Sequence, residues 1–214
     1  MNFSLPKAVE QELQKLSAPP SAQKSIVDFC ILLDKWNQKM NLSGSKSPDD
    51  LATEHVLDTL RAAQHLPVSE AFLDIGSGAG FPGIILGMLW PEREGHLVEP
   101  KEKSATFLKE AVKNLGLSNV TIYVRAIEDL QGEEVIPIYQ EYFSISRAFS
   151  PMKKFLGHCS YLVREESPLF LMTGENSEVL DEAALAKYQL FVAKSTKYDS
   201  DKPKKLLVEI RKQL

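Results

Sequence analysis

The stretch from Ala71 to Gly83 constrains the fold more than any other part of the sequence. It reads AFLDIGSGAGFPG, which predicts a short buried strand, a glycine turn and a helix opened by Pro82. Three glycines stand at alternate positions in the turn: Gly76, Gly78 and Gly80. Glycine there permits positive φ and a close approach of the backbone to a ligand. A strand followed by such a turn and a helix N-terminus is how an open α/β sheet binds a nucleotide-like ligand at its carboxyl edge.

Two glycine patterns overlap in this turn. Gly78, Gly80 and Gly83 fit the dinucleotide spacing G-x-G-x-x-G, with Glu99 placed as a ribose-binding acid, so a nicotinamide-dependent oxidoreductase stays open. The alternative pattern is an acid at the strand end, Asp74, followed by G-x-G-x-G from Gly76. That pattern resembles the first motif of class I methyltransferases, which bind S-adenosylmethionine. Because the predicted strand ends at Ile75, Gly76 makes the first turn, and this favours the methyltransferase interpretation.

The length of the chain, 214 residues, is enough for one large domain or for one domain with an appendage. No apolar run is long enough to span a membrane and the first residues lack a signal-peptide pattern, so we expect a cytoplasmic protein without membrane contact. The two cysteines, Cys30 and Cys159, lack metal-ligand spacing, and we expect reduced thiols and no metal. With a net charge of −4, an RNA partner needs a local basic patch.

The hydrophobic periodicity divides the chain into a helical N-terminal cap, 1–66, and a core, 67–214, in which strands and helices alternate. Predicted helices span 7–16, 21–40, 48–66, 82–90, 103–115, 152–162 and 176–187. Predicted strands span 71–75, 96–99, 120–124, 143–147, 169–172, 190–194 and 206–211. This alternation predicts an α/β fold with a mostly parallel sheet covered on both faces, and a final hairpin that adds an antiparallel strand.

Polar residues follow the predicted strands where a bound nucleoside would lie. Glu99 can accept hydrogen bonds from both ribose hydroxyls. Backbone groups at Ile127 and Glu128 can border an adenine, although a solvated acidic loop is an equally good interpretation. Arg147 can pair with a methionine carboxylate, with Glu128 or with an RNA phosphate, and a structural salt bridge is the alternative. His55 and Asp58 lie on one helix face, where the residues alone favour a simple polar pair.

Several motifs together resemble one family over nearly the whole chain. They are KWNQKMNLS (35–43), HVLDTL (55–60), DIGSGAGFPGI (74–84), LVEP (97–100), LKEAVKNLGLSNV (108–120), RAIEDL (125–130) and ISRAF (145–149). The chain is identified on these motifs as similar to the bacterial 16S ribosomal RNA guanine-N7 methyltransferases, the glucose-inhibited division protein B family. The resemblance implies a class I methyltransferase core with a helical N-terminal region, S-adenosylmethionine as cofactor, and a guanine of the small-subunit decoding region as substrate.

The resemblance also assigns residues to the site. Cofactor contacts carried over by position are Gly76, Phe81, Ile127, Glu128 and Arg147, beside the motif residues Asp74, Gly78, Gly80 and Glu99. The expected RNA-binding residues are Asn41, His55, Lys103, Arg125 and Arg147, with Lys101, Lys153 and Lys154 as further basic residues. Guanine N7 carries a lone pair and no proton, so we expect no strictly required catalytic residue.

The chain departs from the family pattern at a few positions. Glu54 and Thr173 replace basic residues, Ser104 replaces the second residue of a Lys-Arg pair, and the fourth strand begins Tyr142-Phe143 without the common Tyr-Asp lead. These changes spare the cofactor residues and remove positive charge from the expected RNA face, which keeps a non-catalytic RNA-binding relative open. We expect a monomer that binds naked RNA weakly and prefers a small-subunit particle.

Overall fold

The computed structural model describes residues 3–131, 141–147, 152–174, 182–199 and 205–213. A seven-stranded sheet has the order β3-β2-β1-β4-β5-β7-β6. The strands are β1 (Ala71–Ile75), β2 (Glu94–Val98), β3 (Val120–Tyr123), β4 (Tyr142–Arg147), β5 (Leu169–Gly174), β6 (Leu190–Asp199) and β7 (Lys205–Lys212). The helices are α1 (Lys7–Lys15), α2 (Pro20–Met40), α3 (Pro48–Leu51), α4 (Leu57–Ala63), α5 (Gly83–Leu89), α6 (Glu102–Leu115), α7 (Met152–Cys159) and α8 (Glu182–Lys187).

Strands β1 to β5 are parallel, and β7 is antiparallel to both of its neighbours, β5 and β6. This confirms the predicted α/β class I architecture with its antiparallel last strand. Strand β2 begins two residues earlier than predicted and ends at Val98, so Glu99 lies just beyond it. The Glu99 N–H still donates to the Tyr123 carbonyl at 3.0 Å, which fixes its backbone against β3. Strand β6 continues well past Lys194, the predicted end.

Strand pleating separates the core into two layers, because successive side chains point to opposite faces of the sheet. On one face, Phe72 packs with the residues of α2, α5 and α6. On the other face, Leu73 and Ile75 pack with α7 and α8. Asp74 shares the face of Phe72, and Arg147 shares the face of Phe143 and Ile145 by the same alternation.

The N-terminal helices pack directly on the first of these faces. Phe29 of α2 meets the rings of Phe81 and Phe107 at centroid distances of 5.4 and 6.1 Å. The helix predicted over 48–66 is interrupted, because a π-helical turn at Ala52–Val56 lies between α3 and α4. The division at residue 66 stays a prediction about domain organisation, since both sides of it contribute to one apolar cluster.

Parts of the predicted elements lie outside the described residues. These are 176–181 of the helix predicted before β6, and Ala148 and Phe149 of the ISRAF motif. Among the helices that the structure describes, none has both the length and the apolar character needed to cross a bilayer.

Candidate active site

The glycine turn lies at the carboxyl edge of the sheet, where the strand order reverses between β1 and β4. Three of its residues have the positive φ that glycine tolerates: Gly76 at 76°, Gly78 at 54° and Gly80 at 95°. The Gly76 N–H donates to the Val98 carbonyl at 2.8 Å, which anchors the turn to β2. A Cβ at Gly78 would face open space, since the nearest atom is the Gly76 oxygen at 3.9 Å. The turn therefore presents bare backbone to the crevice.

Asp74, in β1, holds the end of this turn by a hydrogen bond. Its side chain is fully buried, and Oδ2 accepts a hydrogen bond from the Gly83 N–H at 2.9 Å. Burial raises the pKa of Asp74 to about 7, against the opposing effect of that hydrogen bond. A Cβ at Gly83 would come within 2.5 Å of the same oxygen, so only glycine fits there. The structure thus places Asp74 where it joins β1 to α5, and its role as a cofactor contact stays a prediction.

Glu99 is fixed beside the turn by main-chain donors. Its Oε2 accepts from the Gly78 N–H and its Oε1 from the Lys101 N–H, both at 2.8 Å. The residue is only 4% exposed. Each carboxylate oxygen can accept more than one hydrogen bond, so a held Glu99 can still receive the two hydroxyls of a sugar. The structure thus places Glu99 beside the glycine turn, and its ribose-binding role stays a prediction.

A cavity of about 270 Å³ adjoins the turn and reaches the predicted adenine position. The residues that line it belong to the ends of β1 and β2, the short 3₁₀ turn at 127–130 and α7. They are Ile75, Gly76, Val98, Pro100, Ala126, Ile127, Glu128, Lys154, Phe155 and His158. Ile127 is buried against the second apolar layer, and Glu128 is exposed. The structure therefore brings the two predicted adenine residues to the same cavity as Gly76.

Arg147 and His55 meet on the other side of the turn. Arg147 Nη1 lies 3.0 Å from His55 Nδ1, and His55 Nε2 lies 3.0 Å from Ser45 Oγ. Because arginine can only donate, Nδ1 accepts and the proton of the neutral imidazole is on Nε2. Burial, together with the positive charges of Arg147 and Lys205, lowers the pKa of His55 to about 4. His55 is therefore a neutral ring at pH 7. Both of its nitrogens contact residues other than Asp58, so the simple polar pair with Asp58 that the sequence favoured is replaced by contacts with Ser45 and Arg147.

Phe81 lies under this contact. Its ring centroid is 5.0 Å from that of His55, and the Arg147 guanidinium carbon lies 5.3 Å from it, a cation–π distance. The Phe81 side chain is buried, only 4% exposed. Phe81 thus connects the cofactor motif to the segment predicted to bind RNA.

Asp58 joins this cluster to the C-terminal hairpin. Its Oδ1 accepts from the Tyr198 hydroxyl at 2.9 Å and lies 3.0 Å from Lys205 Nζ. Oδ2 lies 4.0 Å from Arg147 Nη1. Burial and the nearby Asp58 carboxylate raise the pKa of Tyr198, which therefore remains a hydrogen-bond donor at neutral pH. We call the set His55, Asp58, Arg147, Tyr198 and Lys205 the polar network.

The remaining predicted RNA-binding residues lie on the surface. Asn41 is exposed and ends α2 with a left-handed conformation, φ 46°. Lys103 and Arg125 are exposed beyond the carboxyl ends of β2 and β3. They share an edge of the sheet with the glycine turn, and their contact with RNA stays a prediction.

Sequence reasoning missed several residues that organise the site. Asn37 continues the four-residue spacing of the buried Phe29 and Leu33 along α2, and its amide donates to the Ser45 carbonyl at 2.7 Å and accepts from the Ser43 N–H at 2.8 Å. Tyr198 and Lys205 belong to strands with no motif. His158 lies next to Glu128 across the cavity, with Nδ1 3.0 Å from Oε1. A polar asparagine inside the apolar stripe of α2 was the one signal available.

The departures from the family pattern fall in different environments. Glu54 is exposed on the π-helical turn, next to His55, so its negative charge lies on the surface. Ser104 is only 9% exposed, so this position contributes little to any surface. Tyr142 is buried and its hydroxyl donates to the Leu162 carbonyl at 2.8 Å, a packing role.

A family model described as GidB, rRNA small subunit methyltransferase G, matches residues 22–207. The chain belongs to this family. Among similar relatives is the ribosomal RNA small subunit methyltransferase G of Dichelobacter nodosus, 35% identical over 80% of this chain and 82% of that protein. Another is the protein of the same name from Vibrio campbellii, 35% identical over 73% of this chain and 71% of that protein. The resemblance seen in the motifs is thereby confirmed.

Solved structures support the same fold at low sequence identity. A complex of MtNAS with MTA and tNA has a TM-score of 0.64 and 16% identity, over 96% of this chain and 81% of that one. A SAM-dependent methyltransferase from Aquifex aeolicus has a TM-score of 0.55 and 16% identity, over 83% and 97% of the two chains. Family membership makes this chain an S-adenosylmethionine-dependent methyltransferase that acts on small-subunit ribosomal RNA. The oxidoreductase alternative and the non-catalytic alternative are both set aside.

Proposed function

We propose that the chain transfers the methyl group of S-adenosylmethionine to N7 of a guanine in the decoding region of 16S ribosomal RNA, from a crevice bounded by the glycine turn and Glu99. The observation that carries this proposal is the turn itself. Bare backbone at Gly76 and Gly78 lies between a fixed carboxylate and an adenine-sized cavity. The guanine and its position in the RNA come from the resemblance to the family.

The residues present suit this cofactor. Glu99 would receive the ribose hydroxyls, the cavity beside Ile127 would hold the adenine, and the backbone from Gly76 to Phe81 would border the methionine part. When bound, the cofactor supplies an electrophilic methyl group. The Asp74–Gly83 hydrogen bond holds the start of α5 against β1, and it needs glycine at position 83 because a Cβ there would meet the Asp74 carboxylate and Leu97.

The chemistry needs positioning and no general base. Guanine N7 attacks with a lone pair, and an approach distance of about 3 Å in line with the leaving group supplies most of the rate. His55 is unsuited to act as a base, because burial and its cationic neighbours lower its pKa to about 4 and both of its nitrogens are engaged. We therefore assign His55 to positioning.

Arg147 is a cation next to the end of the glycine turn, 5.3 Å from the Phe81 ring. Its side chain is 24% exposed, which leaves donors accessible beyond those that contact His55. A free positive charge beside N7 would disfavour the cationic methylated ring. The neutral His55 and the negative Asp58 hold the guanidinium against Phe81, where it can bind a carboxylate or phosphate without facing the product.

The surface charges favour a ribonucleoprotein as the substrate. The carboxyl edge carries exposed Lys101, Lys103, Arg125 and Lys153, while the chain as a whole has a net charge of −4. So few phosphate contacts give weak and salt-sensitive binding to naked RNA. We therefore propose that a cytoplasmic monomer acts on a small-subunit particle.

Methyl transfer to small subunits tests this proposal. Subunits from a strain that lacks the native modification are incubated with cofactor labelled in the methyl group, and the labelled nucleotide is mapped by mass spectrometry. We expect 7-methylguanine in the decoding region, with much less incorporation into naked 16S RNA. Incorporation at another atom or region, or equal incorporation into naked RNA, would contradict the corresponding part of the proposal.

A further inference from the structure

Strand β6 is the outermost strand at one end of the sheet that the described residues form. Because β7 is antiparallel to both β5 and β6, β6 runs parallel to β5. Lys205 of β7 is the register partner of Gly174 in β5 and of Asp199 in β6. Asp199 therefore lies at the carboxyl edge of the sheet, and β6 leads from the opposite edge to the edge that carries the glycine turn.

This outer strand is cationic in a chain whose net charge is −4. The segment 183–198 contains three lysines and no aspartate or glutamate. Two of the lysines, Lys194 and Lys197, belong to β6 and are exposed. The next acidic residue, Asp199, is paired with Arg61, with 2.7 Å between Oδ2 and Nη1. The strand is therefore a locally positive surface that attracts anions.

An exposed aromatic ring lies near the beginning of the same strand. Phe191 is 43% exposed, and Val68 is the one other large apolar side chain of the described residues that is exposed. The register partners of Phe191 and Lys194 are Arg211 and Glu209, which are two residues apart on β7 and share a face of the sheet. Phe191 and Lys194 therefore lie on one face. Unpaired bases stack on such rings while lysines bind the phosphates.

Lysines on an outer strand have a second explanation, which is protection against pairing with another strand. Two register shifts, between Val192 and Lys194 and between Lys197 and Asp199, serve the same purpose. Protection does not explain the exposed phenylalanine, because an apolar ring on an outer strand favours association. The two explanations also differ in sign: protection works with either charge, whereas a phosphate contact requires a positive one.

We propose that β6 binds a single-stranded segment of the ribosomal RNA next to the target guanine, with Lys194 and Lys197 contacting phosphates and Phe191 stacking on a base. The inference rests on the proposed function, because it takes the RNA of that reaction as the occupant. The strand has 10 residues. At a rise of about 3.3 Å per residue, it extends the RNA-binding surface roughly 30 Å from the carboxyl edge.

Methyl transfer to small subunits tests the inference through the sign of the charge. The double variant Lys194→Glu/Lys197→Glu keeps charged side chains on the outer strand and reverses their sign. We expect the KM for subunits to rise about tenfold, and the slope of log KM against log salt to fall by about 1.4, the value for two lost contacts to a single strand. The kcat and the affinity for S-adenosylhomocysteine should stay unchanged.

The matched control is Lys109→Glu/Lys113→Glu. It changes the net charge by the same amount at exposed positions of α6, a helix that packs against β3 at the other end of the sheet. We expect its KM to stay within about twofold of the wild-type value.

The base contact is tested separately, and this test does not depend on the folding of the lysine variant. Phe191→Ala should raise the KM for subunits about fivefold, because one base loses its stacking partner. Phe191→Tyr keeps the ring and should keep the wild-type KM. Val68→Ala removes the other exposed apolar side chain, which precedes β1 at the opposite edge, and should have no effect.

Three outcomes would overturn the inference and leave the proposed function intact. The first is wild-type kinetics in Lys194→Glu/Lys197→Glu and in Phe191→Ala. The second is an equal rise of KM in the two lysine double variants, because net charge would then explain the result. The third is a wild-type dimer in sedimentation that Phe191→Ala dissociates, because the outer strand would then bind a second copy of the chain. Absence of methyl transfer by the wild-type protein would instead overturn the proposed function, and this inference with it.

Discussion

The two sides of the candidate site are built in different ways. The crevice side uses main-chain groups from two short segments, the turn after β1 and the residues after β2, with Glu99 joined to Gly78 by a backbone N–H. The polar network uses side chains from four distant segments, with His55 and Arg147 separated by 92 positions and Asp58 and Tyr198 by 140. The first side has the geometry of a ligand site, and the second is a brace between the N-terminal helices and the C-terminal hairpin.

Because the two sides are built differently, we expect substitutions in each to have different effects. A change in the turn should affect ligand affinity more than stability, because a side chain at Gly78 would meet only the Gly76 oxygen, at 3.9 Å, and its cost in the folded protein is limited to backbone strain. A change in the polar network should affect stability first, because its carboxylate is buried between two cations. The following experiments test this separation.

The largest effect is expected for Gly78→Val. The valine side chain would extend into the open space beside the turn, and it would also be strained by the positive φ. We expect the affinity for S-adenosylhomocysteine to fall by more than about 100-fold, which corresponds to about 2.7 kcal/mol. Calorimetry on the folded variant measures it.

Gly116→Val is the matched control for this experiment. Gly116 also has positive φ, 64°, and also faces open space, but it ends α6 away from the crevice. It should lose a similar amount of stability and retain ligand affinity. Equal loss of affinity in both variants would mean that backbone strain, and not the crevice, explains the result.

Asp58→Asn should lower stability by about 2–3 kcal/mol, because it removes the negative charge that compensates Lys205 and Arg147 in a mostly buried setting. Urea denaturation measures the change. Asp28→Asn is the control, since its pair with Lys24 is exposed and contributes below about 0.5 kcal/mol. If Asp58→Asn weakened S-adenosylhomocysteine binding more than it weakened the fold, the proposed separation of the two sides would be wrong.

The pH dependence of stability isolates His55. Its pKa is lowered from 6.5 to about 4 in the folded state, so its contribution is complete above pH 6.5 and is lost as the pH falls towards 4. The stability difference between the wild-type protein and His55→Gln should therefore shrink by about 2 kcal/mol from pH 7.5 to pH 5.

The comparison with the variant is needed because Asp74 acts in the opposite direction. Its pKa is raised to about 7 by burial, so it destabilises the fold as the pH rises from about 4 towards 7. That contribution is common to both proteins and cancels in the difference. A difference that stayed constant across this range would show that His55 is not held neutral by its neighbours.

The smallest effect is expected for Glu99→Gln. The amide oxygen can still accept hydrogen bonds, but the negative charge is lost and the amide nitrogen, a donor, replaces one of the two oxygens that accept from Gly78 and Lys101. We expect affinity for S-adenosylhomocysteine to fall about tenfold. Glu102→Gln, at an exposed position of the same segment, should leave it unchanged. Unchanged affinity in Glu99→Gln would contradict the proposal that the ribose hydroxyls bind the Glu99 carboxylate.

Sequence patterns predicted the parts of the molecule that depend on local backbone requirements. The order of strands and helices, the turn after β1 and the position of Glu99 all follow from glycine, proline and hydrophobic spacing. The neutral state of His55 could not be predicted, because it depends first on burial in the folded protein and then on Arg147 from β4 and Lys205 from β7. The π-helical turn at Ala52–Val56 could not be predicted either, because the hydrophobic periodicity of the sequence continues through it without a break. The His158–Glu128 pair needs the packing of α7 on the sheet.

A crystal structure of the protein with S-adenosylhomocysteine tests the central claim most directly. The account predicts the sugar hydroxyls at the Glu99 carboxylate, the adenine in the cavity beside Ile127, and the amino acid end along the backbone from Gly76 to Phe81. A ligand bound at another place in the molecule, with the glycine turn left facing solvent, would contradict it.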